Sequence, residues 1–125
     1  MTFDEFNKWC EDESLSGNVS IASALGVSAQ TVRNWKQQER VPHWVRFACI
    51  AIKTGAEPMT ITVQSIKTWQ HRNGLKTYED TGSIFHLKRQ AVHQWFRRGK
   101  FPAWLGLATR GYEIEKEANS VDLNE

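Results

Sequence analysis

Apolar positions recur at spacings of three and four along most of the chain. Phe3, Phe6, Trp9 and Cys10 fall on one face at helical spacing. Thr2, with Glu5 three residues on, places a capping box in front of them. Val63, Ile66 and Trp69 repeat that face. A short second helix is expected over about 18–25, with Ile21, Ala22 and Leu25 inward, and its counterpart over about 77–85 behind Thr77-x-x-Asp80. Gly26-Val27-Ser28 then breaks the chain, because glycine tolerates positive φ and Ser28 can cap the next helix. A third helix is expected over about 29–38 and about 88–98, burying Val32/Trp35 and Val92/Trp95. Pro42 and Pro102 suit the first turn of a fourth helix, which in the first copy carries Trp44, Val45, Ala48 and Ile52 inward. Thr54-Gly55-Ala56-Glu57-Pro58 supplies stop signals and reads as a linker. No segment alternates over strand length, so an all-α fold is expected.

The pattern is written twice. An ungapped offset of sixty aligns residues about 2–52 with about 62–112, and the six tryptophans form the pairs Trp9/Trp69, Trp35/Trp95 and Trp44/Trp104. Leu15/Leu75, Ser23/Ser83, Gln30/Gln90, Val32/Val92, Pro42/Pro102 and Ala48/Ala108 are identical too. The expected organisation is one unit over 1–58, a second over 59–116 and an acidic flexible tail over 117–125. A unit of about 60 residues is marginal for an independent core, so the halves should pack together. His86 replaces Gly26 at the turn, where a side chain costs roughly 1–2 kcal/mol, and Gly82 replaces Ala22 inside a helix. The second unit is therefore expected to be the weaker scaffold.

Composition adds an asymmetry. The 125 residues carry a formal charge of only +2. Residues 1–58 hold six basic and seven acidic side chains, residues 59–112 nine basic against Glu79 and Asp80, and residues 113–125 one basic against five acidic. The middle stretch, at net +7, is the kind of local field that attracts polyanions. Hydrophobic content of 40% fits a soluble globular chain, and no apolar run approaches the roughly 18–20 residues of a membrane span. The acidic, polar N-terminus does not read as a signal peptide, so a cytoplasmic, nucleoid-associated location is expected. Cys10 and Cys49 have no zinc-like spacing and read as small core residues. No Ser-His-Asp, paired-carboxylate or phosphate-loop constellation is present, so no enzyme, metal or cofactor is expected. The tryptophans read as core anchors, His43 and His71 as surface residues, and His93 equally as a contact or a solvated side chain.

With Val32 and Trp35 inward, the outward positions are Ala29, Gln30, Arg33, Asn34 and Gln37, and in the second copy Arg89, Gln90, His93, Gln94 and Arg97. Gln or Asn can pair bidentately with adenine and Arg with guanine, and no acid stands at these places to repel phosphate. The stretch from Ile21 to Trp35, with Ala22, Leu25-Gly26-Val27, Val32 and Trp35 as its anchors, resembles the helix-turn-helix of phage Cro and repressor proteins. The resemblance covers about 18–44, and about 78–104 through the repeat. It implies two tandem helix-turn-helix units of about four helices each, packed as a pseudo-dimer. It also implies a sequence-specific regulator, most simply a repressor, occupying double-stranded DNA through the major groove. Base readout would then fall to Ser28, Gln30, Arg33 and Asn34, and to Lys88, Arg89, Gln90, His93 and Gln94. Lys36, Gln37, Arg40, Arg97, Arg98 and Lys100 would grip phosphates.

Two alternatives stay open at this level. The chain could be an antiactivator or anti-repressor that masks a protein partner through the acidic first helix, with Asp4, Glu5, Glu11, Asp12 and Glu13. A homodimer carrying four motifs also stays open.

Overall fold

The structure, a computed structural model, describes residues 1–124, and side-chain surroundings as far as residue 120. Among the described residues it is all-helical, with eight helices and no strand. They are α1 (Phe3–Asp12), α2 (Asn18–Leu25), α3 (Ala29–Gln38), α4 (Trp44–Lys53), α5 (Val63–Arg72), α6 (Tyr78–Phe85), α7 (Arg89–Arg98) and α8 (Leu105–Asn124). Helices α5, α6 and α7 begin and end sixty positions after α1, α2 and α3. Local chemistry sets these limits. The Thr2 amide donates to Glu5 Oε1 at 2.9 Å and the Glu5 amide to Thr2 Oγ1 at 3.1 Å, closing the capping box of α1. Thr77 and Asp80 make the same reciprocal pair at α6, and Ser28 caps α3. Gly26 ends α2 at φ +77°, the left-handed conformation the turn demands.

Within the halves α2 packs on α3 and α6 on α7, while α4 and α8 lie against each other and join the halves. The sequence of α4, WVRFACIAIK, is apolar nearly all round, and the helix buries Trp44, Val45, Phe47, Ala48, Cys49 and Ala51. Contact with α8 is close: a methyl group on Gly111 would overlap the Phe47 carbonyl oxygen. Trp44 and Trp104 stack with ring centroids 4.3 Å apart and planes 6° from parallel. Trp35 meets Trp44 edge-on at 5.9 Å and Trp95 meets Trp104 edge-on at 6.0 Å. A column of four tryptophans thus runs from the inner face of α3 to that of α7. Other contacts between the halves keep the offset of sixty: Gly26 approaches the Ala103 backbone, and His86 stacks on His43 at 3.6 Å. One hydrophobic cluster spans both halves, from Phe6 and Trp35 to Trp69, Phe85 and Leu105. Arg46 pairs with Glu115, and Arg72 makes a two-pronged pair with Glu113 at 2.7 and 2.9 Å, tying α4 and α5 to α8.

Several expectations change. Pro42 and Pro102 do not enter the fourth helices; their carbonyls accept from Val45 and Leu105 in the turns that precede them. Residues 117–124 continue α8 as helix where a flexible tail was expected, with 117–120 exposed; residue 125 lies outside the described residues. Gly82 has a packing reason, since a Cβ there would sit 2.6 Å from the Leu87 carbonyl oxygen. His43 is half-buried in the contact between the halves, and burial lowers its pKa from the ordinary 6.5, helped by the charges of His86 and Arg46. Both cysteines are buried and free, and burial pushes the Cys49 thiol far above its usual range.

Candidate nucleic-acid interface

The outward faces of α3 and α7 carry the residues the sequence singles out. In α3, Val32 is fully buried and Trp35 is 6% exposed, which turns Gln30, Arg33, Asn34 and Gln37 to solvent. Ser28, also exposed, accepts from the Thr31 amide at 3.1 Å. The exposed side chains are not independent. Arg33 donates to Gln30 Oε1 at 2.9 Å, and Gln30 Nε2 donates to Asn34 Oδ1 at 3.0 Å. Lys36 and Arg40 are exposed at the end of the helix, beside Glu39, which closes it in the left-handed conformation at φ 54°.

The second copy is built differently. Lys88 holds the N-cap position with extended backbone and no side-chain cap. Arg89, Gln90 and His93 are exposed, whereas Gln94 is half-buried. Val92 is fully buried, but Trp95 is only partly so, and α7 rests on a thinner anchor than α3. His93 stacks on Tyr78 of α6 at 5.2 Å, and Tyr78 stacks on Phe96 at 5.4 Å. Tyr78 was not among the residues expected to matter. It opens α6 fifteen positions before His93, and only the docking of α6 on α7 brings the rings together. Arg97, Arg98 and Lys100 are exposed around Gly99, the left-handed residue that ends α7.

The electrostatics of these faces depend on which charges are paired. Glu115 and Glu113 of α8 pair with Arg46 and Arg72. Among the described residues no salt bridge engages Lys36, Arg40, Lys88, Arg89, Arg97, Arg98 or Lys100. Neither α3 nor α7 has an acid in its first turn, so the positive end of each helix dipole is unopposed. Such a surface can hold an anionic backbone with its cations while amides and guanidinium groups reach base edges.

The acidic helix α1 borders a different feature, an open groove shared with α4 and α8. Glu5, Asp12, Glu13 and Glu115 line it together with Lys8, Arg46 and Lys53, so its charge is mixed. Among the described residues no group of His, Cys, Asp or Glu converges as a metal site. Among the described residues no helix is long and apolar enough to cross a membrane. No protein family model, curated protein or solved structure matches this chain.

Proposed function

We propose that the chain is a sequence-specific double-stranded DNA-binding regulator of transcription, a repressor that acts by occupying its site. In this reading the resemblance to Cro-type helix-turn-helix proteins holds for both halves. Each of α3 and α7 lies in the major groove, with α2 and α6 bracing the backbone. Cro-like proteins dimerise to set two recognition helices about 34 Å apart, whereas here one chain supplies both and serves as its own pseudo-dimer. Ser28, Gln30, Arg33 and Asn34 face one half-site and Lys88, Arg89, Gln90, His93 and Gln94 the other. Lys36, Gln37, Arg40, Arg97, Arg98 and Lys100 hold phosphates. The observation that carries the reading is the pairing of two helices at an offset of sixty, each with an exposed face of amides and unpaired cations and no acid in its first turn.

Binding of the chain to random duplex DNA across a salt series tests it. Each phosphate neutralised contributes a slope of about −0.9 in log K against log salt, so several contacts give a slope of several. No retention at about 50 mM salt, where counterion release is strongest, would replace this reading with that of a protein-binding module.

A further inference from the structure

The two outward faces differ in what their side chains have left to offer. In α3 the carbonyl oxygen of Gln30 is occupied by Arg33 at 2.9 Å, and the carbonyl oxygen of Asn34 by Gln30 at 3.0 Å. A bidentate contact to adenine needs an amide that offers one acceptor and one donor, for N6–H and N7. The Gln30–Asn34 bond uses one of the two lone pairs of Asn34 Oδ1 and ties the Asn34 amide to Gln30. Arg33 gives one of its five N–H groups to Gln30 and keeps the others. Arg33, which has no acceptor and is held by Gln30, thus presents donors alone, and guanine, with acceptors at O6 and N7, is the base edge that takes two donors from one side chain.

Helix α7 has no such row. Among the described residues no side-chain hydrogen bond joins Gln90, His93 and Gln94, and the ring at the position of Arg33 is His93, stacked on Tyr78 at 5.2 Å. Asn18, the α2 counterpart of Tyr78, carries no ring with which to hold Arg33 in the same way.

Resting on the proposed DNA-binding function, we infer that α3 reads guanine through Arg33, with Gln30 as the positioning residue that tethers its guanidinium, and that α7 has no guanine reader at the equivalent position. The operator is then asymmetric in a defined way. One half-site carries a fixed guanine under Arg33, and the symmetry-related position of the other half-site does not.

The test is selection of bound duplexes from a random pool with the full chain, followed by competition with single-base variants of the selected site. The wild type should enrich a guanine under Arg33 but not at the symmetry-related position of the other half-site, and discriminate there by about 5- to 150-fold, the range for one bidentate pair. Arg33→Ala should abolish discrimination at that base pair and leave preferences in the other half-site as they were. Gln30→Ala should reduce the same ratio by about 2- to 10-fold without reversing the preference, because an untethered guanidinium samples other contacts. A purely structural role for Gln30 would instead lower affinity for every sequence alike. Both side chains are exposed, so the variants are expected to fold. Enrichment of another base under Arg33, or a guanine preference that survives both substitutions, overturns the assignment while leaving DNA binding intact. No enrichment and no retention of any duplex overturns the proposed function with it.

Discussion

Glu39 and Gly99 occupy the same place in the two repeats, and they end α3 and α7 in the left-handed conformation, at φ 54° and φ 63°. Only one of them is suited to it. An L side chain in this region costs roughly 1–2 kcal/mol, partly offset by the greater freedom glycine loses on folding. Glu39 is exposed and meets no ion-pair partner among the described residues. Glu39→Gly should therefore raise stability by about 0.5–1 kcal/mol in denaturant unfolding. The same substitution removes a carboxylate beside Lys36 and Arg40, so affinity for random duplex should also rise. At this scale the sequence was largely legible. Thr2, Ser28 and Thr77 stand in capping positions that need only near neighbours along the chain. Tyr78 was not, because its stack on His93 depends on how two helices dock.

Between elements, the contact of α4 with α8 turns on Gly111. Alanine would ordinarily improve a helix at such a position, by up to about 1 kcal/mol. Here the added methyl would overlap the Phe47 carbonyl, and backbone cannot swing aside as a flexible side chain does. Gly111→Ala should cost about 2 kcal/mol or more and lower one midpoint shared by both halves, as calorimetry would report. The stack of His43 on His86 gives the same junction a pH dependence. Burial, then the charges of His86, Arg46 and the N-terminus, lower the pKa of His43, with Glu115 opposing them more weakly. The unfolded chain therefore takes up that proton first. The contribution of His43 is full above the ordinary value of 6.5 and is lost as pH falls through the lowered folded value. Denaturant midpoints measured between about pH 7.5 and 5 should fall less in His43→Phe, which keeps a ring against Phe47 and His86 but does not titrate. An unchanged pH profile in that variant would remove His43 from this role. Periodicity and the repeat together pointed to four helices in each half and to the inner face of α4. Its second buried face was signalled only by the near absence of polar residues in WVRFACIAIK, and periodicity alone does not say what covers such a helix.

For the molecule as a whole, the repeat made the architecture readable, because a pattern written twice fixes which apolar positions build the scaffold. Two of the three tryptophan pairs became one column, and the linker brings the Met59 amide to donate to the Gly106 carbonyl at 3.1 Å. The length of α8 was not legible in the chain, since residues 117–125 look like a solvated acidic tail, and the ion pairs of Glu113 and Glu115 with Arg72 and Arg46 that anchor the helix are tertiary contacts. The candidate site was legible as a set of exposed positions, but not in the bonding of those side chains to one another. The central claim is that a single chain lays both α3 and α7 on one duplex. Hydroxyl-radical footprinting of the selected site, at a protein:DNA stoichiometry fixed by sedimentation, tests it most directly. The account predicts one chain per duplex and two protected tracts on one face, about 10 base pairs apart. A single protected tract per chain, or protection that appears only with two chains bound, would contradict it.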